Sequence, residues 1–314
     1  MTGRTGEQQT SDRPDVRDKS IRSFWREYLA ISPFYVLFAV FGIFPLIYGI
    51  YLSTQKWDGL GPSTFVGFDQ FVRLFNDSQF YTSVFNTVAI FIIGLVPAII
   101  GALLAACILS QAKLRASGFY QTLLFLPQMT SLVAVAIVFQ SLFGNNFGLI
   151  NHFLTSFGFG ALPWLSNTWL VKIVIACMVI WRGLGYFMVV FLAGIAAIPS
   201  EIYDAGKVDG AGAVRSFWSL TLPLLRPSIV FVALIGTISG FHLFTEPNVL
   251  FPGTGGPNNS GLSMMLLQVQ YFGGSAGIRI PDLGYATVVG WAVFVILLGV
   301  SVFNSRLLRS AEAS

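Results

Sequence analysis

The sequence predicts an all-α, polytopic membrane protein with six transmembrane helices. Three observations carry that prediction. Six windows are each long and apolar enough to cross a hydrocarbon core, which needs roughly 20 predominantly apolar residues. Of 314 residues, 54% are hydrophobic and only 10% charged, against about 25% charged in ordinary soluble domains. The few cations are also distributed unevenly around the windows. With 30 Phe and 32 Gly, this composition excludes a soluble globular enzyme and a disordered chain. A net charge of +4 is too mild for a nucleic-acid binder working through a broad basic face.

The elements follow in order. Residues 1–28 form a polar tail with a short helix expected near Ser23 to Tyr28, and no apolar segment follows the first Met, so no cleaved signal peptide is expected. The spans are Pro33 to Leu52, Val84 to Leu109, Leu123 to Phe143, Trp169 to Ile198, Ser228 to Val249 and Tyr285 to Leu308. They are too long and too continuously apolar for barrel strands, whose residues alternate. Pro45, Pro97 and Pro127 lie inside three of them and are expected to make packing kinks. Cys107 and Cys177 sit in apolar runs, which argues against a disulfide framework or a Cys-based metal site.

Lys and Arg set the orientation. A cytoplasmic amino terminus gathers thirteen on that side: Arg4, Arg13, Arg17, Lys19, Arg22 and Arg26 in the tail, then Lys113, Arg115, Lys207, Arg215, Arg226, Arg306 and Arg309. The other side receives Lys56, Arg73, Lys172 and Arg279, and Arg182 falls within a span. Both termini are therefore expected inside.

No catalytic constellation is evident. Gly206-Lys207 continues into Val208, so there is no phosphate loop, and His152 and His242 have no metal-binding spacing. No nucleophile-and-base pair and no internal repeat stands out. Ionisable groups at membrane depth are costly and point to function instead. Arg182 costs about 2.5–3.5 kcal/mol on insertion scales. It calls for a wet cavity, a partner subunit, or a structural carboxylate or helix-dipole partner. Glu246 is expected near the outer surface, where it is a functional candidate or a snorkelling or solvated carboxylate, and His242 is expected as a hydrogen-bonded interior imidazole. In Trp181-Arg182-Gly183-Leu184-Gly185-Tyr186, aromatic faces suit the C–H face of a sugar. The two glycines leave room for a ligand or for close helix packing.

The stretch 199–227 is the most informative. Pro199 ends the fourth span, Ser200 can cap a short helix, Asp209-Gly210 signals a turn, and a second helix runs to Leu222 before Pro223 and Pro227. The result is a helix-turn-helix elbow along the cytoplasmic face, with Ile202, Tyr203, Phe217 and Trp218 as apolar knobs. It suits a cleft in a soluble partner or, equally, an interfacial amphipathic helix.

This stretch resembles the EAA loop of permease subunits of binding-protein-dependent ABC importers. Asp204-Ala205-Gly206 stands where Glu-Ala-Ala would, Gly210 is the motif glycine, and Leu220-Thr221-Leu222-Pro223 is its ending. Asp for Glu shortens the reach, and Gly206 for Ala is expected to loosen the first helix. Lys56-Trp57-Asp58-Gly59, Val66-Gly67-Phe68-Asp69-Gln70-Phe71, Asn86-Thr87 and Gly255-Gly256-Pro257-Asn258-Asn259-Ser260 are similar to the carbohydrate branch, in its maltose-type first permease.

The resemblance spans about residues 29–309 and implies a type I importer permease fold in the cytoplasmic membrane of a bacterium or archaeon. It implies a permease domain over 29–314, with 199–227 as the coupling loop. Implied partners are a second permease, two ATPase subunits, an outer solute-binding protein, a sugar and membrane lipid, and no nucleic acid. The chain itself would bind no cofactor; ATP and Mg would belong to the ATPases. The coupling contacts would come from Glu201, Asp204, Ala205, Gly206, Asp209, Gly210, Ala211, Leu222 and Pro223. The substrate path would use Trp181, Arg182, Gly183, Tyr186, Ser239 and His242. Ser239, Gly240 and Leu243 depart from the maltose-type pattern, which argues against maltose itself, and Arg182 would suit an anionic or modified sugar. Alternatives are a permease for glycerol phosphate or a polyamine, or a proton-coupled transporter or channel using Arg182, His242 and Glu246.

Overall fold

The computed structural model describes residues 25–110, 116–273 and 279–312, with the side chains of 26, 27 and 303–312 outside that description. The expected tail cations, together with Lys113, Arg115, Arg306 and Arg309, lie outside it. The chain divides into two units, Met1–Tyr51 and Leu52–Ser314.

In the first unit, helix α1 (Trp25–Phe38) passes through a π turn (Ala39–Ile43) into α2 (Phe44–Ser53). The cause is Pro45. A proline cannot donate to the fourth carbonyl before it and its ring crowds that carbonyl, so the helix widens locally. Phe44 N–H accordingly bonds Ala39 O, five residues back. The expected short helix near Ser23 is the start of this longer one, from Trp25 onward.

The second unit opens with a feature outside the all-helical expectation. Strands β1 (Gln55–Lys56) and β2 (Thr64–Phe65) pair antiparallel. The Trp57-Asp58-Gly59 motif makes their turn: Leu60 N–H donates to Asp58 Oδ1 at 2.9 Å and Trp57 Nε1 to Gly61 O at 3.0 Å. Helix α3 (Asp69–Asn76) follows, then α4 (Ser78–Leu109), capped by Asp77, which accepts from Gln79 N–H. The second span thus starts six residues before the expected Val84.

Helix α4 lies along α8 (Thr168–Ala196). Gly94, Ala98, Ala102 and Ala106 recur every fourth residue and are all buried, so the backbones approach closely where bulkier residues would hold them apart. Leu95, Met188, Phe191 and Val232 fill the core beside this stripe.

The third window is not one straight helix. It consists of α5 (Ser117–Met129) and α6 (Leu132–Leu142), bent by 98° at Thr130-Ser131. Pro127 is more than a packing kink, because it sits just ahead of a full break. The fifth window is likewise interrupted: α12 (Arg226–Phe241) stops, and α13 (Thr245–Leu250) begins after His242–Phe244. Broken backbone at membrane depth is tolerated where it is buried in protein or lines a cavity.

Between α6 and α8 lies α7 (Leu149–Ser156), pinned by buried Asn151. Its amide donates to Asn145 O and Leu162 O, each at 2.9 Å, and its oxygen accepts from Leu162 N–H and Trp164 Nε1. Helices α14 (Met264–Tyr271) and α15 (Leu283–Glu312) complete the unit.

At the end of the bundle away from residues 199–227, polar side chains form a clamp. Arg73 pairs with Asp282 at 2.7 Å and stacks 4.1 Å over the Tyr285 ring. Gln70 also donates to Asp282, and the Tyr285 hydroxyl donates to Asp77 at 2.6 Å. Burial pulls the Arg73 pKa down, but the hydrogen bond to Asp282 and the surrounding electrostatics outweigh it, and the net shift is upward. Arg279 donates to Gln270, Tyr271 and Gln79 beside it.

Candidate functional site

Two sites were expected, an elbow and a substrate path, and the described structure contains a geometry for each. The elbow consists of α9 (Ser200–Val208), a turn, α10 (Ala213–Ser216), a π turn (Phe217–Thr221) and α11 (Leu222–Leu224). Its N-cap is Pro199, so Ser200 is the first helical residue and not the cap. Glu201 lies in the first turn and Lys207 in the last, each complementing the helix dipole.

The turn is a Schellman motif. Ala211 N–H donates to Gly206 O at 2.8 Å, Gly210 N–H to Lys207 O at 3.1 Å, and Gly210 has φ +73°. A glycine is needed there because the left-handed backbone disfavours a Cβ. The tyrosine hydroxyl of Tyr203 meets Thr221 Oγ1 at 3.2 Å and ties the two helices together. Gly206 is buried, with Leu220 against it, so its role is close packing and not the loosening expected from sequence. Asp204 and Asp209 are exposed, and Asp204 pairs with Lys207 at 2.7 Å. Ala205 and Pro223 are exposed, whereas Ala211 and Leu222 are half-buried. Of the apolar knobs, Trp218 is exposed and Ile202, Tyr203 and Phe217 are half-buried.

The substrate path corresponds to a cavity of about 570 Å³, within the size range of small-molecule sites. Both helix breaks reach it. Gln128 and Leu132 come from the α5–α6 corner, and His242, Leu243, Thr245 and Glu246 from the interruption after α12. Helix α8 contributes Arg182, Gly183 and Tyr186, α12 contributes Ser239 and Gly240, and Phe91 and Leu95 of α4 form an apolar wall.

Arg182 Nη1 donates to Glu246 Oε1 at 3.1 Å, with side chains 21% and 12% exposed. Glu246 is therefore a paired, largely buried carboxylate, not the snorkelling or solvated alternative raised by the sequence. Its neighbour Pro247 is buried. Arg182 Nε is buried and has no hydrogen-bond partner among the described residues. His242 Nδ1 lies 2.8 Å from Ile238 O, and since a carbonyl only accepts, Nδ1 carries the hydrogen.

Five of the six expected path residues, Arg182, Gly183, Tyr186, Ser239 and His242, line this cavity. Trp181 does not. It is 44% exposed, packs on Phe139 with ring centroids 6.1 Å apart, and lines a second groove with Pro127 and Thr130. The two glycines of the motif also divide their work: Gly183 faces the cavity, while a Cβ at Gly185 would collide with the Leu124 backbone. Gln128 and Thr245 were missed. Gln128 is the one amide within the apolar run 123–129, and that was its available signal.

Residues 98–310, which contain the elbow and all of α8 and α12, match the family described as binding-protein-dependent transport system inner membrane component. The chain belongs to that family. This permease is 35% identical over 279 residues to the lactose transport system permease protein LacF of Rhizobium radiobacter, covering 88% of this chain and 91% of the relative. It is 31% identical over 281 residues to the arabinooligosaccharides transport system permease protein AraP of Bacillus subtilis, covering 89% and 87%. A chain in the crystal structure of a bacterial alginate ABC transporter, in complex with alginate pentasaccharide-bound periplasmic protein, superposes with a TM-score of 0.76. At 22% identity, over 93% of this permease and 96% of that chain, this likeness is one of fold. The permease is a membrane transport component and not an enzyme.

Proposed function

We propose that this permease is one half of the translocation path of an ABC importer for mono-, di- or oligosaccharides, with the 570 Å³ cavity as the sugar path. The observation that carries the reading is the cavity itself. Two interrupted helices and α8 converge on it, and they bring donors, acceptors and an aromatic face together, as a sugar requires. The lactose and arabinooligosaccharide relatives support the same class.

In this reading residues 29–314 form the permease domain, residues 1–28 a cytoplasmic tail, and 199–227 the coupling loop. Both termini and the elbow face the cytoplasm, in accord with the Lys and Arg asymmetry. A second permease encloses the path. Two ATPase subunits, which bind ATP and Mg, receive the elbows, and an outer solute-binding protein delivers the sugar. Closure of the ATPases moves the elbow as a rigid body and turns the path from inward-facing to outward-facing. Exposed Asp204 supplies a polar contact to the ATPase, and the Schellman turn keeps the two short helices at a fixed angle.

The test is purification of the complex with its binding protein. Sugar-dependent stimulation of ATPase activity, lost in Asp204→Lys with the complex still assembled, is the expected result. Stimulation by glycerol phosphate and by no sugar would move the substrate class. Uptake by vesicles holding this chain alone, driven by a pH gradient, would overturn the ABC reading.

A further inference from the structure

Among the described residues, the fixed charges lining the cavity are one cation and one anion, Arg182 and Glu246, and they are paired with each other at 3.1 Å. Every other polar group on the lining with a role at neutral pH is a hydroxyl, an amide or an imidazole: Tyr186, Ser239, Thr245, Gln128 and His242. The charge a ligand meets is therefore close to zero. Removing charges from water costs several kcal/mol per ion even after relaxation, and a buried pair holds together because each member offsets the other.

A carboxylate-bearing sugar entering this space has two options. It can compete for Arg182 and strand Glu246, or sit beside Glu246 as a like charge. Both are penalised. A hydroxyl has neither problem: it can donate to the glutamate and accept from the guanidinium at once. Arg182 Nε is enclosed, so a ligand reaches the guanidinium only through the part of the side chain that remains exposed, beside its partner Glu246. His242 adds to this. Its Nδ1 hydrogen is engaged by Ile238 O, so the neutral ring keeps Nε2 as an acceptor for a hydroxyl.

We propose that the cavity selects uncharged saccharides over their acidic counterparts, and that Glu246 sets this selectivity by neutralising Arg182. The proposal rests on the reading of this cavity as the sugar path, and it replaces the anionic sugar that Arg182 alone suggests. Glu246 is thus a specificity-determining residue that reaches the ligand's charge through its partner.

The experiment uses the full chain in its assembled complex, in lipid nanodiscs, with two matched probe pairs: methyl glucoside with methyl glucuronide, and methyl galactoside with methyl galacturonide. Binding is read by saturation-transfer NMR competition. In the native complex the neutral member of at least one pair binds and its uronide binds at least about tenfold more weakly. In Glu246→Gln the lone guanidinium raises the uronide-to-neutral ratio on the order of tenfold. The double variant Arg182→Gln, Glu246→Gln restores the native preference, because the lining is again uncharged. If Glu246→Gln fails to assemble, Arg182→Gln is read in its place: the lone Glu246 carboxylate should lower the uronide-to-neutral ratio below the native one, and an unchanged ratio would overturn the role of the pair. Native binding of glycoside and uronide with equal strength would overturn the selectivity while leaving the sugar path standing. An unchanged ratio in Glu246→Gln would overturn the role of Glu246. Absence of binding by all four probes to every variant, with sugar-dependent ATPase stimulation intact, would overturn the selectivity at this cavity; absence of both would remove the sugar path as well.

Discussion

Gly206 packs directly against Leu220: a Cβ at position 206 would lie 2.8 Å from Leu220 Cδ1. The contact joins the two halves of the elbow, and the atom in the way is the end of a flexible side chain. Alanine at 206 therefore needs only a small Leu220 shift, and it gains up to about 1 kcal/mol of helix propensity over glycine. Gly206→Ala is expected to change the unfolding midpoint of the complex little. Gly206→Leu must wedge the helices apart, at about 1–3 kcal/mol. Equal midpoints for the two variants would show that the packing at 206 is loose.

The turn residue is constrained by its backbone and not by its surroundings, because among the described residues no atom beyond its chain neighbours lies within 4 Å of where a Cβ at Gly210 would sit. Gly210→Ala should thus cost about 1–2 kcal/mol, the penalty of a left-handed L-residue, and Gly210→Asn less. Gly210→Pro also loses the bond to Lys207 and is expected to abolish uptake without preventing insertion. Hydrogen exchange at the Ala211 amide, which donates to Gly206 O, reads the effect. It should quicken in the order Asn, Ala, Pro, and protection equal to the parent in all three would refute the motif's role.

Gly183 and Gly185 should behave as opposites. At Gly185 a Cβ would sit within 2.8 Å of Phe125 Cα as well as against Leu124, so α5 must leave α8. Gly185→Ala is expected to cost on the order of 3 kcal/mol or more, at the upper end of overpacking, and to reduce the yield of folded complex. At Gly183 the nearest atom is the Phe187 ring at 3.2 Å, a side chain that can turn. Gly183→Ala should fold normally and slow transport by narrowing the cavity. A misfolded Gly183→Ala would count against its place on the lining.

Tyr186 lines the cavity and touches Phe187 edge to face, with centroids 5.7 Å apart. Loss of that contact costs about 0.5–1.5 kcal/mol beyond area. Tyr186→Ala should reduce sugar uptake while ATPase docking persists, and Tyr186→Phe should separate the hydroxyl's share. Uptake unchanged in both variants would return Tyr186 to packing.

Asn86 is buried in α4 and donates to Asn259 O at 2.7 Å and Leu262 O at 3.0 Å. Asn86→Ala leaves both carbonyls without that donor, at about 1–3 kcal/mol. Proteolysis within 253–263 should accelerate. Resistance equal to the parent would mean that the loop is held by other contacts.

The sequence made the spans, the elbow and most of the path residues legible, because hydropathy and the loop motif act locally. The breaks at Thr130-Ser131 and His242–Phe244 were hidden, since an averaged window is apolar whether its helix runs straight or turns. Pro127 marked the neighbourhood but not the 98° angle. The Arg182–Glu246 pair joins residues 64 apart, which no periodicity reports. Trp181 and Arg182 are adjacent in sequence, and helical geometry sends adjacent residues to different faces. That is why the aromatic of the motif serves another groove. The role of Gly206 depended on Leu220 across the turn, a contact visible only in three dimensions.

The π turn at Phe217–Thr221, ahead of Pro223, repeats the arrangement of Ala39–Ile43 ahead of Pro45. One surplus residue in a helical turn advances everything beyond it by about 100° about the axis. The azimuth at which Trp218 and the first elbow helix are presented, relative to α12, is thus set by a single extra peptide unit. Deleting one residue from 217–221 would restore a regular helix and swing the elbow to a different compass bearing.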